Sequence, residues 1–179
     1  MSFTPFVNLQ TPQDAHEHIA RLCPNERTRV VPLREALDSV LASDVYAVRP
    51  LPAFDCAAMD GYAFCAGDCS ESFHVVATIY AGDVPIERTF AKGECCKIMT
   101  GAPVPKGLDC VIPHEDVMLQ NDWVCPMIAI KRGSHIRMAG EEIAQDVLLL
   151  QKGTRLNGAA IGLLASQGIA EVQCFAPLR

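Results

Sequence analysis

The sequence predicts a mixed α+β protein in which a small, mostly β domain is inserted into an α/β domain of the linker type. Three observations predict it. Helical spacing near the N-terminus gives way at Arg49. From there to about Arg137, short alternating apolar runs are separated by Gly, Pro and Asp. A strand–turn–helix–strand texture then resumes at Asp146. The 179 residues fall between one and two typical domains. The simplest organisation is a discontinuous domain of residues 1–48 and 138–179 around a β-rich domain of residues 49–137.

In chain order, Thr11-Pro12-Gln13-Asp14 is a helix start. Thr11 can cap, Pro12 suits the first helical position, and Asp14 complements the positive end of the helix dipole. Ala15, Ile19 and Leu22 follow at helical spacing up to Cys23, and Pro24-Asn25 stops the run. His16-Glu17-His18 rides on this helix. Histidines two apart project in different directions, so the segment reads as a solvated face rather than a zinc site. Thr28–Val31 is a strand. Pro32–Ala42 reads as a second helix with Leu33, Ala36, Leu37, Val40 and Leu41 on one face, and Asp44–Val48 returns to strand. Strands are then expected over Phe73–Tyr80, Cys95–Met99, Cys110–Ile112, Val117–Leu119 and Trp123–Ile130. Turns are expected at Ala81-Gly82-Asp83, Ala91-Lys92-Gly93 and Asn121-Asp122. After them come a strand at Asp146–Gln151, a turn at Lys152-Gly153-Thr154, a helix at Asn157–Ser166 and a strand at Ile169–Phe175. Asn157 can cap that helix, and Gly168 suits its left-handed end.

Half of the residues are hydrophobic and 20% are charged, the composition of a folded globular chain. The net charge of −6, with no Lys/Arg run, argues against a nucleic-acid partner. No apolar run is long enough for a membrane span, and Met1–Gln10 has no basic n-region or apolar stretch of a signal peptide. No membrane partner is therefore expected, and the expected location is the cytoplasm. The nine cysteines (Cys23, Cys56, Cys65, Cys69, Cys95, Cys96, Cys110, Cys125 and Cys174) include no CxxC pair and no zinc-ribbon spacing. They read as reduced thiols used as small hydrophobes. Adjacent Cys95 and Cys96 should point to opposite faces of a strand, which disfavours joint ligation.

Two segments are too specific to be spacers. Leu51–Phe64 contains Asp60-Gly61, a tight-turn dipeptide between apolar residues, read as a hairpin signal. In Lys97–Asp116 a strand ends in Thr100-Gly101, and Pro103 and Pro105 stiffen the exit. A Thr hydroxyl with a following Gly N–H can face a phosphate or oxyanion, but an ordinary strand-ending turn has the same pattern.

Together these segments resemble the MoeA family, which includes the E domain of gephyrin. The pattern Phe-Asp-x-x-Ala-Met-Asp-Gly-Tyr-Ala is matched by Phe54 to Ala63, and Met-Thr-Gly-Ala-Pro-x-Pro by Met99 to Pro105. Ile136-Arg137, Gly140–Ile143, Gly153–Leu156 and the Ala165–Val172 stretch also fit, so the likeness runs with gaps from about Thr11 to Phe175. The resemblance implies a molybdenum insertase of molybdenum cofactor biosynthesis. Such an enzyme joins molybdate to adenylylated molybdopterin with release of AMP, assisted by Mg²⁺. It further implies an elongated homodimer and a partner in the molybdopterin-adenylating protein of the same pathway. Carried over residue by residue, it implies Asp60, Thr100 and Glu142 as catalytic candidates and Gly61, Gly101, Arg137 and Glu141 as substrate-binding candidates. Each also has a structural reading. Asp60 can fix its own turn, Thr100 can pack at a strand end, and Arg137 would pair weakly with Glu141 if the stretch were helical.

Two positions depart from the family. Glu142 stands where most members have Asp, one methylene shorter, and Cys56 stands where Asn is common. In the family, a doubly wound α/β domain and a small β domain follow the strand that Ile169–Phe175 resembles. The expectation is therefore that these residues supply one wall of an active cleft and do not turn over alone. The alternative is a dimerisation or scaffold module, derived from the family, in which catalysis is lost.

Overall fold

The computed structural model describes residues 11–22 and 27–177. In chain order it contains α1 (Pro12–Leu22), β1 (Thr28–Pro32), β2 (Val45–Tyr46), β3 (Cys56–Ala57), β4 (Gly61–Phe64), β5 (Phe73–Ile79) and β6 (Glu94–Ile98). There follow β7 (Cys110–Pro113), β8 (Val117–Gln120), β9 (Trp123–Pro126), β10 (Ile136–Arg137), β11 (Leu148–Leu150), α2 (Gly158–Ser166) and β12 (Glu171–Phe175). The chain divides into two compact units, Met1–Tyr46 with Leu148–Arg179 and Ala47–Val147.

In the first unit β1 pairs antiparallel with β12, and β2 with β11. Their core is Val31, Leu33, Ala36, Leu41, Leu156, Ala160, Leu164, Val172 and Cys174. Both helix starts behave as the sequence indicates. The Asp14 N–H donates to Thr11 Oγ1 at 3.1 Å, and the Thr11 N–H returns a bond to Asp14 Oδ2 at 2.8 Å. This reciprocal box leaves two fewer orphan donors at the first turn of α1, and its hydrogen bonds hold the Asp14 carboxyl below its ordinary range. Asn157 Oδ1 accepts from the Ala160 N–H at 2.8 Å, and Gly168, just past α2, takes a φ of 76°. The expected helix end at Cys23–Asn25 lies outside the described residues.

The second helix expected over Pro32–Ala42 is absent. Only a 3₁₀ turn forms, at Leu33–Glu35. Asp38 then takes a φ of 64°, which an α-helix cannot contain, and Val40 and Leu41 bridge to Arg155 and Cys174. Leu33, Ala36 and Leu41 are buried as helical spacing would have it, but Leu37 is exposed. The described residues are therefore mostly β, with less helix than the mixed α+β expectation.

In the second unit the six-stranded sheet runs β7-β4-β6-β5-β9-β8, antiparallel except for the parallel pair β5–β6. Strands β4 and β7 are buried on both faces, while the β8 edge is exposed. Tyr62, Phe64, Phe73, Cys95, Ile112 and Val124 form one cluster, where Phe64 and Phe73 meet edge-on at 4.9 Å. Ala63, Ile79, Cys96, Ile98 and Val111 belong to the other. Cys95 and Cys96 thus lie on opposite faces, and burial pushes both thiols up to about 12.

The strands expected from Phe73 to Ile130 are present with shifted ends, those at Phe73 and Trp123 shorter and those at Cys110 and Val117 one residue longer, but Leu51–Phe64 is not a hairpin. Asp60-Gly61 does not turn between paired strands. Gly61 opens β4 and lies opposite both Ile98 and Pro113. What glycine supplies there is space: a Cβ at position 61 would sit 2.1 Å from the Ile112 carbonyl oxygen. Among the described residues no helix is long and apolar enough to cross a membrane.

Two outcomes follow. Gly61→Ala must displace backbone at the centre of the sheet, so its denaturation midpoint in urea should fall by the equivalent of about 1–3 kcal/mol or more. An unchanged midpoint would contradict the close approach. At pH 8, Cys95 and Cys96 should resist a thiol reagent in the folded chain while exposed Cys69 reacts. Modification of Cys95 or Cys96 at the rate of Cys69 would disprove their burial.

Candidate functional site

The motif residues are organised by one short segment. β3 pairs with β10, placing Cys56 opposite Arg137 and Ala57 opposite Ile136. On its other side the Gly101 N–H donates to the Ala57 carbonyl at 2.8 Å, and the Ala57 N–H donates to the Ala102 carbonyl at 3.0 Å. Gly101 holds a φ of 80°, a left-handed conformation suited to glycine, and this turns its N–H onto Ala57. Residues 55–60 therefore touch both other motif stretches, 99–104 and 135–143.

Asp60 and Thr100, 40 residues apart, meet directly. The Thr100 N–H and hydroxyl both donate to Asp60 Oδ1, at 2.7 and 2.6 Å. Both residues are exposed. The Thr100 hydroxyl is the largest cause holding the Asp60 carboxyl below its ordinary range. The Thr100 N–H is the second, and the charges of His114 and Lys97 add to it. Asp60 thus bonds to the other motif loop rather than to its own turn. The Thr100-Gly101 turn is bonded within the chain. All three donors of that turn point inward, two to Asp60 and one to Ala57.

Arg137, Glu141 and Glu142 form a second group. Arg137 Nε donates to Glu141 Oε1 at 2.6 Å, and its Nη2 to Glu142 Oε1. The pairing with Glu141 forms without a helix. The Met138 N–H donates to Glu141 Oε2 at 2.9 Å, so a tight turn rather than helical spacing brings the two together. Arg137 holds the Glu141 carboxyl low, with the Met138 N–H as the second cause, and the two carboxylates raise the guanidinium. The turn is tied back to Leu51 and Pro52. The Glu142 N–H donates to the Leu51 carbonyl at 3.0 Å, and the Gly140 N–H to the Pro52 carbonyl at 2.9 Å. Leu51-Pro52 is a cis peptide.

Asp60, Gly61, Thr100 and Gly101 are therefore brought together, as are Arg137, Glu141 and Glu142. No bond joins the two groups side chain to side chain among the described residues, and the backbone of residues 55–58 connects them. Three participants carried no role in the sequence reading. Asp55 Oδ1 accepts the Ala139 N–H at 2.8 Å, locking the second group to the first motif. Lys97 and His114 bring positive charge to Asp60. No sequence signal marks them, because the register that sets Lys97 opposite Tyr62, two residues beyond Asp60, pairs strands distant in sequence. Cys56 is buried, and burial raises its thiol in spite of Arg137. It therefore stays protonated near neutrality.

The fold and these stitched motifs define a β scaffold that carries two surface carboxylate groups. Comparison with known proteins identifies it. The chain belongs to the MoeA family, because the family described as MoeA N-terminal region (domain I and II) matches residues 10–168. It is 35% identical over 156 residues to the molybdopterin molybdenumtransferase of Haemophilus influenzae, covering 86% of this chain and 38% of that protein. It is 35% identical over 174 residues to molybdopterin molybdenumtransferase 2 of Mycobacterium tuberculosis, covering 92% and 42%. Among solved structures, the molybdopterin biosynthesis MoeA protein of Pyrococcus horikoshii superposes with a TM-score of 0.83 at 32% identity, covering 91% of this chain and 43% of that one. The chain thus spans about two fifths of the length of the relatives it matches.

The Asp60–Thr100 bond has a defined pH sense. A carboxyl held below its unfolded value contributes above that value, and the contribution disappears as pH falls through the lowered one. Thr100→Ala removes the hydroxyl but keeps the N–H, so the Asp60 carboxyl should titrate higher than in the parent and Thr100→Ser should restore it. Carboxyl ¹³C NMR reads this directly, and an unmoved Asp60 titration in Thr100→Ala would refute the assignment.

Proposed function

We propose that this chain is the part of a molybdenum insertase that presents one wall of the active cleft. The reaction is transfer of molybdate to adenylylated molybdopterin with release of AMP, in molybdenum cofactor biosynthesis. The single observation that carries the reading is the Asp60–Thr100 junction. It fuses the two most specific family motifs into one exposed surface.

In this reading the β-rich unit and the unit built from the chain ends are the family's domains II and I. The whole protein works as a homodimer supplied by the molybdopterin-adenylating protein. Asp60 is the group that faces substrate. Thr100 fixes its rotamer and keeps it ionised, so that a charge is positioned before substrate arrives. Gly101 and Gly61 hold the two loops at close range. Arg137 aims Glu141 and Glu142 along the second stretch.

Mg²⁺ does not fit these residues by themselves. Among the described residues no three His, Cys, Asp or Glu side chains are grouped to hold an ion, and both glutamates are engaged by Arg137. A divalent cation wants several oxygen ligands with room for water. No step is therefore assigned to the ion on this wall.

The engagement of Glu141 and Glu142 by Arg137 also suits the second reading, a dimerisation or scaffold module without turnover. One experiment separates the two. In a protein that continues through the α/β domain, adenylylated molybdopterin, molybdate and Mg²⁺ should release AMP. Asp60→Asn should lower kcat by about 10²-fold or more, on the scale of removing one preorganised electrostatic group. The 179-residue chain alone should release none. Turnover by the isolated chain, or full activity in Asp60→Asn, would sink the proposal.

A further inference from the structure

The inferred substrates are anions, yet the donors expected to meet them are engaged elsewhere. The Thr100 hydroxyl and N–H are on Asp60, the Gly101 N–H is on Ala57, and the Arg137 charge is outweighed by two carboxylates. An anion approaching this edge would meet the exposed Asp60 carboxylate first. A cation must be close by for the edge to attract one.

Sheet register locates it. β4 lies between β6 and β7, with Tyr62 opposite Lys97 on one side and Ile112 on the other. One residue before β4, Asp60 continues that register. Its carbonyl accepts the His114 N–H at 3.3 Å, just beyond the Gly61–Pro113 pair. Alternation along β4 and β6 therefore puts Lys97 on the Tyr62 face, and Asp60 continues it at the rim of a tyrosine that is itself buried. His114 opens the 3₁₀ turn His114–Asp116 after β7, and its backbone bond to Asp60 holds it beside that rim. Lys97 and His114 are both exposed. Among the described residues Lys97 has no ion-pair partner, unlike Arg88, Arg132, Arg137 and Arg155, which are each held by a carboxylate. The His114 imidazole lies 3.5 Å from the carboxylate of its neighbour Glu115. The charges of both residues already act on Asp60, which supports their placement at its edge.

We propose that Lys97, with the His114 imidazole beside it, is the anion-receiving group of the Asp60 edge, and that its ligand is a tetrahedral oxyanion of the phosphate or molybdate type. This rests on the insertase reading and adds to it the residue that draws the anion in. Lys97 supplies a flexible ammonium with three donors and can follow an oxyanion without a preformed cage. Asp60 lies alongside as a negative neighbour. Its charge opposes any anion at this edge, so binding there requires direct engagement of the Lys97 ammonium.

The test uses the chain and inorganic phosphate. Phosphate is titrated at constant ionic strength, with chloride as the balancing salt, while NMR follows backbone amides and lysine side chains. Lys97 and His114 should shift saturably, and the Lys106 and Arg132 loops should stay in place. Lys97→Gln should weaken binding about tenfold, the scale of one lost charge-assisted hydrogen bond, and Lys97→Arg should restore most of it. Asp60→Asn should tighten binding. Position 97 is exposed, so an unchanged amide spectrum elsewhere in Lys97→Gln verifies the fold. Saturable shifts centred on Arg137–Glu142 or Lys106, or equal affinity in Lys97→Gln, would overturn the inference. The insertase reading fails separately, through full AMP release by Asp60→Asn in the longer protein. Lys97 shifts combined with that result would leave the anion site standing on its own.

Discussion

The two-sided pairing of residues 55–58 is the constraint on which the rest of the site depends. On one side this short strand meets β10, which carries Arg137. On the other it exchanges bonds with Gly101 and Ala102, and the Asp55 carbonyl accepts the Val104 N–H at 2.9 Å. The Ala58 N–H adds a bond to the His135 carbonyl at 2.9 Å. Four residues therefore fix the relative positions of segments 40 and 80 residues further on. Buried backbone donors and acceptors must be paired, and Cys56 and Ala57 are both buried. The sequence here carries little side-chain bulk because two neighbours have to approach closely. Gly61 applies the same logic one turn later, where a methyl group would collide with the Ile112 carbonyl.

From this seam the chemistry follows in an order that sequence alone does not reveal. A Thr-Gly turn at a strand end can cradle an anion or be tied down by its own chain, and the pattern is the same in both cases. What decides is a carboxylate 40 residues away that takes both Thr100 donors. The consequence is a preorganised anion, Asp60, in place of a preorganised anion receptor. On a chain with a net charge of −6 such an edge would repel anionic ligands unless cations stood within a few ångströms.

Much of the fold was legible because its signals are local. Thr11 and Asn157 cap their helices, Gly168 ends one, and the runs at Phe73, Cys110 and Trp123 become strands. The failures are equally physical. The apolar spacing of Leu33, Ala36 and Leu41 satisfies a helical stripe, but those side chains are buried from a 3₁₀ turn and two isolated bridges. Asp38 then breaks the periodicity with a positive φ that no spacing rule reports. β3, β4 and β10 were missed because Cys-Ala, Gly-Tyr-Ala-Phe and Ile-Arg carry no β-branched or alternating run, and they exist only through partners distant in sequence. In the site, residue identities were legible from motif likeness. Their division into an Asp60–Thr100 group and an Arg137–Glu141–Glu142 group was not.

The departure at position 142 shows how that division is maintained. The backbone of Glu142 is fixed by its N–H bond to the Leu51 carbonyl, so side-chain length alone sets where its carboxylate arrives. With glutamate it arrives on Arg137 Nη2. An aspartate on the same backbone would be shorter by roughly one C–C bond, about 1.5 Å, and its contact with Arg137 Nη2 would lengthen and weaken. Arg137 would still hold Glu141, whose second oxygen is anchored by the Met138 N–H. The extra methylene therefore tightens a three-member ion cluster, while Asp60 is held by Thr100 donors in place of a cation.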